Sequence, residues 1–204
     1  IEVVVGRKKL NQTKGEKVME QKQLIAHGGG HQIGRSCYDY GDIVIDFGAI
    51  QGRSKTISYP PVPGDSKKAF VVGHDHLDHC GGAAIFAREQ WDAKVFMTKT
   101  CRDGMELQLK DSIKIALERM KLDRFDGQTP RLPDFEMDEV RDLLGRVRIV
   151  KNEGWFEPIP GYRMSFRSAG HKPGAAIILM VFPDGTRVVH ACDYSLHDQP
   201  LVLG

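Results

Sequence analysis

The sequence is poor in cysteine, in long apolar runs and in net charge. No Cys-x-x-Cys pair occurs, which argues against a cysteine zinc knuckle and favours reduced structural thiols at Cys37, Cys80, Cys101 and Cys192. The longest apolar stretch runs from Ala175 to Phe182 and is far too short to span a bilayer. A formal net charge of +2 neither demands nor excludes a nucleic-acid partner.

Signals for export, repeats and low complexity are also missing. The start, Ile1-Glu2-Val3, does not have the basic and then apolar layout of a secretory signal. With 204 residues, 41% of them hydrophobic, the chain can build one globular domain with a substantial core. We therefore expect a cytoplasmic protein without membrane contact. Residues 1–23 are expected to form a polar, lysine-rich arm or edge hairpin, and residues 24–204 one folded domain.

Strand and helix signals alternate along the chain, which predicts an α/β fold. Apolar runs of strand length predict strands at Ile43 to Phe47, Ala69 to Gly73, Lys94 to Met97, Val147 to Val150, Tyr162 to Arg167, Ala175 to Phe182 and Thr186 to Ala191. Helical spacing of apolar residues predicts helices at Gly82 to Gln90, Thr98 to Met120 and Met137 to Leu144. The basic residues of the long middle helix are expected to form a solvated face.

The segment His74-Asp75-His76-Leu77-Asp78-His79 has the composition of a metal site. His74 and His76 are two positions apart, so in extended backbone they project from the same face and could bind one ion together. Asp78 and His79 follow after a turn and could bind a second ion nearby. The sequence therefore predicts a centre for two ions immediately after an apolar strand.

Further ligands are expected at the ends of other predicted strands. His171 lies in a loop rich in glycine and proline and would complete a set of three histidines with His74 and His76. Asp193 ends an apolar strand, and its two oxygens could bridge two cations. Asp46 also ends a strand and is expected to orient a ligand, without binding metal itself. The remaining histidines are expected to be loop or surface residues: His27, His31, His190 and His197.

In order and local context, these motifs resemble those of the metallo-β-lactamase superfamily. Three further segments are similar to its β-CASP branch of nucleases: Gly34-Arg35-Ser36-Cys37, Met97-Thr98-Lys99-Thr100 leading to Asp111-Ser112, and Ala169-Gly170-His171 with Gly174-Ala175. The resemblance covers about Leu24 to Leu201. It implies an αββα sandwich, two zinc ions and hydrolysis of phosphodiester bonds.

The sequence departs from the family pattern in two ways. It contains neither the last histidine ligand of the family nor the inserted β-CASP cap, and it ends at Gly204, about where that cap would begin. We therefore expect an incomplete domain at the C-terminus, a weakly held second ion, and little RNA cleavage unless a downstream cap segment or a partner subunit is added. In addition, Ala191-Cys192-Asp193 replaces the Thr-Gly-Asp common in the family.

The chemistry of the predicted site favours hydrolysis. Imidazole and carboxylate ligands suit zinc, and three histidines leave a coordination position open for water, whose pKa falls towards about 7 on zinc. In catalysis Asp78 would orient this water and Asp193 would hold both ions. The leading hypothesis is a zinc-dependent ribonuclease of β-CASP type that acts on RNA, with DNA left open as an alternative substrate. The alternatives are a thioesterase or lactonase acting on small molecules, and a relative without activity that binds nucleic acid or protein.

Overall fold

The computed structural model describes residues 2–6, 24–51 and 57–202. The helices are α1 (Leu77–Cys80), α2 (Ala83–Glu89), α3 (Lys99–Phe125) and α4 (Met137–Arg146). The strands are β1 (Glu2–Gly6), β2 (Ile25–Gly28), β3 (Cys37–Asp39), β4 (Ile43–Ile45), β5 (Ile50–Gln51), β6 (Ile57–Ser58), β7 (Ala69–Val71), β8 (Lys94–Met97), β9 (Val147–Ile149), β10 (Trp155–Phe156), β11 (Arg163–Ser168), β12 (Ala176–Val181) and β13 (Arg187–Ala191).

Two sheets form the centre of the molecule. The first has the order β2-β3-β4-β7-β8-β9, and its strands β4, β7, β8 and β9 are parallel neighbours. The second has the order β1-β13-β12-β11-β10 and is antiparallel throughout. Strands β5 and β6 pair separately as a short antiparallel ribbon.

The core has two layers because the first sheet is buried on both faces. Val44, Phe70 and Val95 point towards the helices and pack with Phe86. The neighbouring residues point to the opposite face, where they meet the second sheet in a cluster that includes Ile43, Ile45, Val71, Phe166 and Ile178. This alternation follows from the two-residue period of a strand. It explains why β4 and β7 have continuous apolar sequences.

Helix α3 covers the first sheet with a narrow apolar stripe. Its buried residues Cys101, Met105, Leu109 and Ile113 recur every four positions, so they lie on one face of the helix. The Thr98 hydroxyl caps the helix by accepting a hydrogen bond from the Cys101 backbone at 3.2 Å. Within the described residues, none of the helices combines the length and apolar character needed to cross a membrane, although α3 has 27 residues.

The α/β class and the two-sheet sandwich with helices outside are confirmed. All four described helices cover the first sheet, and none of them packs on the outer face of the second. Most predicted strands and helices are confirmed to within two residues at each end. Helix α3 is the exception, because it continues to Phe125 and ends before Gly127, whose φ is 69°.

Five short strands were not predicted: β2, β3, β5, β6 and β10. In the predicted arm or hairpin of residues 1–23, the described part is β1, which pairs with β13 at the edge of the second sheet. The rest of that segment, residues 7–23, lies outside the described residues. The four cysteines are all free and buried, as expected for reduced structural thiols.

Candidate metal centre

The predicted site residues converge at one edge of the sandwich. Asp46 follows β4, and the histidine-rich segment follows β7, the parallel neighbour of β4. His171 lies in the loop between β11 and β12, and Asp193 follows β13. A hydrogen bond from the Ala176 backbone to the Gly73 carbonyl, at 3.0 Å, joins the two sheets at this edge. Both sheets therefore contribute side chains to the same site.

One group of four side chains surrounds a single point. It consists of His74, His76, His171 and Asp193. His76 Nδ1 lies 3.1 Å from His74 Nε2 and 3.2 Å from His171 Nε2. Asp193 Oδ2 lies 3.7 Å from His74 Nε2 and 3.8 Å from His171 Nε2. Four ligand atoms at such separations can surround one ion at ordinary coordination distances.

A second group lies beside the first and shares Asp193. It consists of Asp78, His79 and Asp193. His79 Nε2 lies 3.8 Å from Asp78 Oδ2 and 3.6 Å from Asp193 Oδ1. Asp78 and His79 both belong to the single turn of helix α1, which brings their side chains towards Asp193. The two oxygens of Asp193 thus face different groups, which is the arrangement of a carboxylate that can bridge two cations.

The donor set fits divalent cations. His76 Nδ1 faces ring nitrogens of both His74 and His171, and one nitrogen cannot share a proton with both at once. A cation between them would satisfy all three lone pairs. In addition, each group combines neutral nitrogen with anionic oxygen and contains no thiolate, which suits zinc and similar ions. The residues present therefore match the ions that the sequence predicts.

The charges of the two buried histidines differ. Burial and the neighbouring charge on His79 lower the pKa of His74 to about 3, so its imidazole is neutral and ready to bind metal. Burial alone would lower the pKa of His79, but the Asp46 carboxylate and the interactions with Asp193 and Asp46 raise it to about 10. A cation at His79 must displace that proton, so its affinity should increase with pH.

Asp46 supports His79 from behind. Its carboxylate is completely buried, and Oδ2 accepts a hydrogen bond from His79 Nδ1 at 2.7 Å. Its other oxygen, Oδ1, accepts one from the Gly73 backbone at 2.7 Å. This position orients the imidazole of His79 and directs Nε2 towards Asp78 and Asp193. Asp46 itself has a φ of 62°, a conformation that aspartate and asparagine tolerate better than most residues.

The expectation that His190 is a loop or surface residue is wrong. His190 is completely buried between the sheets, where its Nδ1 lies 2.9 Å from the Tyr40 hydroxyl. It shares the inward face of β13 with Val188, two positions before it. Its Nε2 has no hydrogen-bond partner among the described residues. His190 also forms a fully buried group with Asp46 and Cys192 next to the site.

Two residues that the sequence motifs do not mark as ligands also contact the site. Asp75 lies between two predicted ligands. It is nearly buried, and Lys172 Nζ contacts its Oδ1 at 2.9 Å, which ties the histidine-rich segment to the loop of His171. The Ser36 hydroxyl lies 3.5 Å from His79 Nε2. The sequence marks Asp75 and Ser36 only weakly, because a charged residue beside a ligand and a serine in a glycine loop are both common.

Helix α3 bears its basic residues on the solvent side, as expected. Lys99 pairs with Asp103 and Lys110 pairs with Glu106, each four positions apart on the same helix. Arg102 contacts both acidic residues. These pairs neutralise much of the positive charge within the helix itself. These ion pairs agree with the expected solvated face of the helix.

Comparison with known proteins identifies ribonucleases and a transcription factor among the relatives. No family model matches the sequence. The chain is 28% identical to the probable RNase MJ4 of Methanocaldococcus jannaschii over 89% of its own length and 41% of that protein. It is 31% identical to RNase aCSPSF2 of Saccharolobus solfataricus over 74% of its own length and 29% of that protein. Transcription termination factor FttA of Methanosarcina mazei is 28% identical, over 92% of this chain and 31% of the factor.

The aligned region is only part of each relative. The chain spans less than half the length of these curated relatives, with 41% as the largest of the three shares. Among solved structures, a metallo-β-lactamase of Cronobacter sakazakii aligns with 82% of this chain and 60% of its own, at 16% identity and a TM-score of 0.49.

Proposed function

Because the chain belongs to the metallo-β-lactamase superfamily, as a relative of its β-CASP nucleases, we propose that it is a zinc-dependent hydrolase of RNA phosphodiester bonds. The observation that carries this proposal is the position of Asp193, whose two oxygens face two separate groups of ligands. Two cations held side by side suit the hydrolysis of a phosphodiester, because the attacking and the leaving oxygen both need charge stabilisation. Relatives named as ribonucleases favour RNA as the substrate.

Each of the two ions is assigned its own set of side chains. In this proposal His74, His76 and His171 would hold one ion, Asp78 and His79 would hold the other, and Asp193 would be available to both. When bound, the ions supply hydroxide at neutral pH and neutralise charge on the phosphate. Asp78 is 34% exposed, so its carboxylate can reach the reacting water and orient it by a hydrogen bond. The completely buried Asp46 keeps the imidazole of His79 in place by accepting its hydrogen bond.

Asp78→Ala should abolish RNA hydrolysis. We expect the rate to fall at least about 100-fold, since both an ion ligand and the group that orients water are removed. The measurement is cleavage of labelled single-stranded RNA in zinc, with enzyme in excess because turnover by this chain alone is expected to be slow. Asp92→Ala is the matched control, because Asp92 is exposed and belongs to neither ligand group.

Substrate panels separate RNA hydrolysis from the other chemistries of this fold. The same zinc-loaded preparation is offered thioesters and lactones alongside RNA. Hydrolysis of one of these esters without cleavage of RNA would contradict the proposed substrate. RNA cleavage that persists in Asp78→Ala would contradict the proposed site.

Asp46→Asn should weaken zinc without removing its ligands. Asparagine keeps the size of the side chain and tolerates a φ of 62°, but it removes the negative charge that faces His79. We expect zinc affinity to fall by about 10 to 100-fold. Competition with a chromophoric chelator measures this change. An unaltered affinity would show that the hydrogen bond to His79 does not support metal binding.

A further inference from the structure

An apolar cavity opens directly beside the second group of ligands. Its volume is about 460 Å³. Its walls come from the loop after β2, the ribbon of β5 and β6, the start of helix α1 and the middle of helix α3, and they include Ile33, Ile50, Ile57, Tyr59, Leu77 and Asp78. The Asp78 side chain therefore belongs both to the cavity wall and to the ligand group with His79 and Asp193. A molecule bound at that group has direct access to the cavity.

Large apolar side chains are exposed at the cavity mouth. Ile33 is 89% exposed and Leu77 is 40% exposed, and both line the cavity. Exposed apolar side chains that cluster at a concave surface are typical of a binding site. Leu77 directly precedes Asp78 on helix α1, so the same short helix contributes to both the apolar wall and the ligand group.

An aromatic ring forms part of the wall in a fixed orientation. The Tyr59 hydroxyl donates a hydrogen bond to Asp134 Oδ2 at 3.1 Å. The ring also packs closely against Gly82, where an added Cβ would lie 2.8 Å from a ring carbon. A ring held at both ends is a suitable platform for another flat molecule. Nucleobases stack on such rings, since every base has a π-face.

Resting on the phosphodiester hydrolysis proposed above, we propose that this cavity receives a nucleobase of the RNA strand, next to the phosphate bound at the ions. The phosphate carries the negative charge that the ions attract, and the base is a flat group that fits the apolar cavity. Only the sugar separates the two. Apart from Asp78, which belongs to the ligand group, the side chains of the wall give a base few polar partners, because the Ser112 hydroxyl already donates to the Gln108 carbonyl at 2.9 Å and the Tyr59 hydroxyl to Asp134. We therefore expect the cavity to accept different bases with similar affinity.

Binding of small fragments to the zinc-loaded protein tests this assignment without depending on turnover. The probes are adenosine 5′-monophosphate, adenosine 3′-monophosphate, ribose 5-phosphate and inorganic phosphate. Calorimetry gives the affinities, and methyl NMR spectra report on Ile33, Ile50, Ile57 and Leu77. We expect at least one adenosine monophosphate to bind about tenfold more tightly than ribose 5-phosphate, which is a modest gain for one stacked base. We also expect only the nucleotides to shift these methyl signals.

Variants on helix α3 test whether the higher affinity of the nucleotide depends on the cavity. Ser112→Phe places a ring inside the cavity and should remove the advantage of the nucleotide over ribose 5-phosphate. Ile115→Phe adds the same ring to the same helix at a half-exposed position outside the cavity wall, and should leave the advantage unchanged. Ile33→Ala should also reduce the affinity advantage of the nucleotide, because it removes apolar surface from the cavity wall. Ile33 is so exposed that its truncation does not disturb the core. Leu132→Ala, at a residue that is 75% exposed elsewhere, is the control for that change.

The results distinguish failure of the base-site assignment from failure of the proposed function. If nucleotides and ribose 5-phosphate bind equally, the base has no site, although phosphate binding at the ions is retained. If a short fatty acid shifts the methyl signals and the nucleotides do not, the cavity takes an acyl chain and our assignment is wrong. If no phosphate compound binds to the zinc-loaded protein, both the base site and the proposed phosphodiester hydrolysis fail.

Discussion

Replacement of both His74 and His76 with alanine is expected to leave the purified protein without bound zinc. Their facing nitrogens, Nε2 of His74 and Nδ1 of His76, are 3.1 Å apart and form half of the first ligand group. With both removed, only His171 and Asp193 remain there, and two ligands do not hold zinc against dialysis. Zinc per chain, measured by atomic absorption after dialysis, should fall to background. The double variant should also lose all RNA hydrolysis.

The control for this pair is His31→Ala with His197→Ala. Both histidines are exposed and belong to none of the described ligand groups, so zinc content should equal that of the unmodified protein. Because His74 is completely buried, thermal unfolding in chelator is compared as well, to separate metal loss from unfolding. Full zinc content in a folded double variant would contradict the assigned ligands.

Gly48→Ala is expected to cause the largest loss of stability. The segment around Gly48 runs along helix α1, with hydrogen bonds from Phe47 N to the His79 carbonyl at 2.9 Å and from Ala49 N to the Leu77 carbonyl at 2.8 Å. An added Cβ would lie 1.7 Å from the Asp78 carbonyl oxygen. Backbone cannot rotate away as a side chain can, so α1 must shift. We expect the free energy of unfolding to fall by about 3 kcal/mol.

The same substitution should affect the metal centre, because α1 bears Asp78 and His79. Urea unfolding measures the stability, and chelator competition measures zinc affinity. Gly64→Ala is the matched control, since an added Cβ at Gly64 would meet no atom within 4 Å. A stability within about 0.5 kcal/mol of the unmodified protein, which is typical of surface substitutions, would contradict the predicted clash.

The sequence predicted the convergence of the candidate ligands better than the short strands around them. The close spacing of histidine and aspartate after an apolar run marks candidate ligands directly, whereas β3 and β10 contain only three and two residues and leave no periodic pattern. His190 shows a different difficulty. Alternation counted back from Asp193 would point His190 the other way, but β13 ends at Ala191, so alternation does not continue to that aspartate. Comparison with Val188, inside the same strand, gives the correct inward orientation.

Some features of the site cannot be predicted from local sequence at all. Lys172 contacts Asp75 across nearly a hundred positions of chain, and the contact exists only because the two sheets meet at this edge. The same holds for the cavity, whose walls come from five separate segments of the sequence. Such features depend on tertiary packing, and no periodicity or spacing records them. The sequence therefore identifies candidate ligands but not the surface beside them.

The junction of the two sheets at Gly73 and Ala176 affects when, during folding, the candidate ligands come together. Each ligand group combines side chains from the first sheet with Asp193 or His171 from the second, so neither sheet alone presents a complete set. In a newly made chain, β13 is synthesised last of the described strands, so the full set of candidate ligands comes together only after β13 has paired. High-affinity binding of the proposed ions is therefore expected to follow closure of the sandwich.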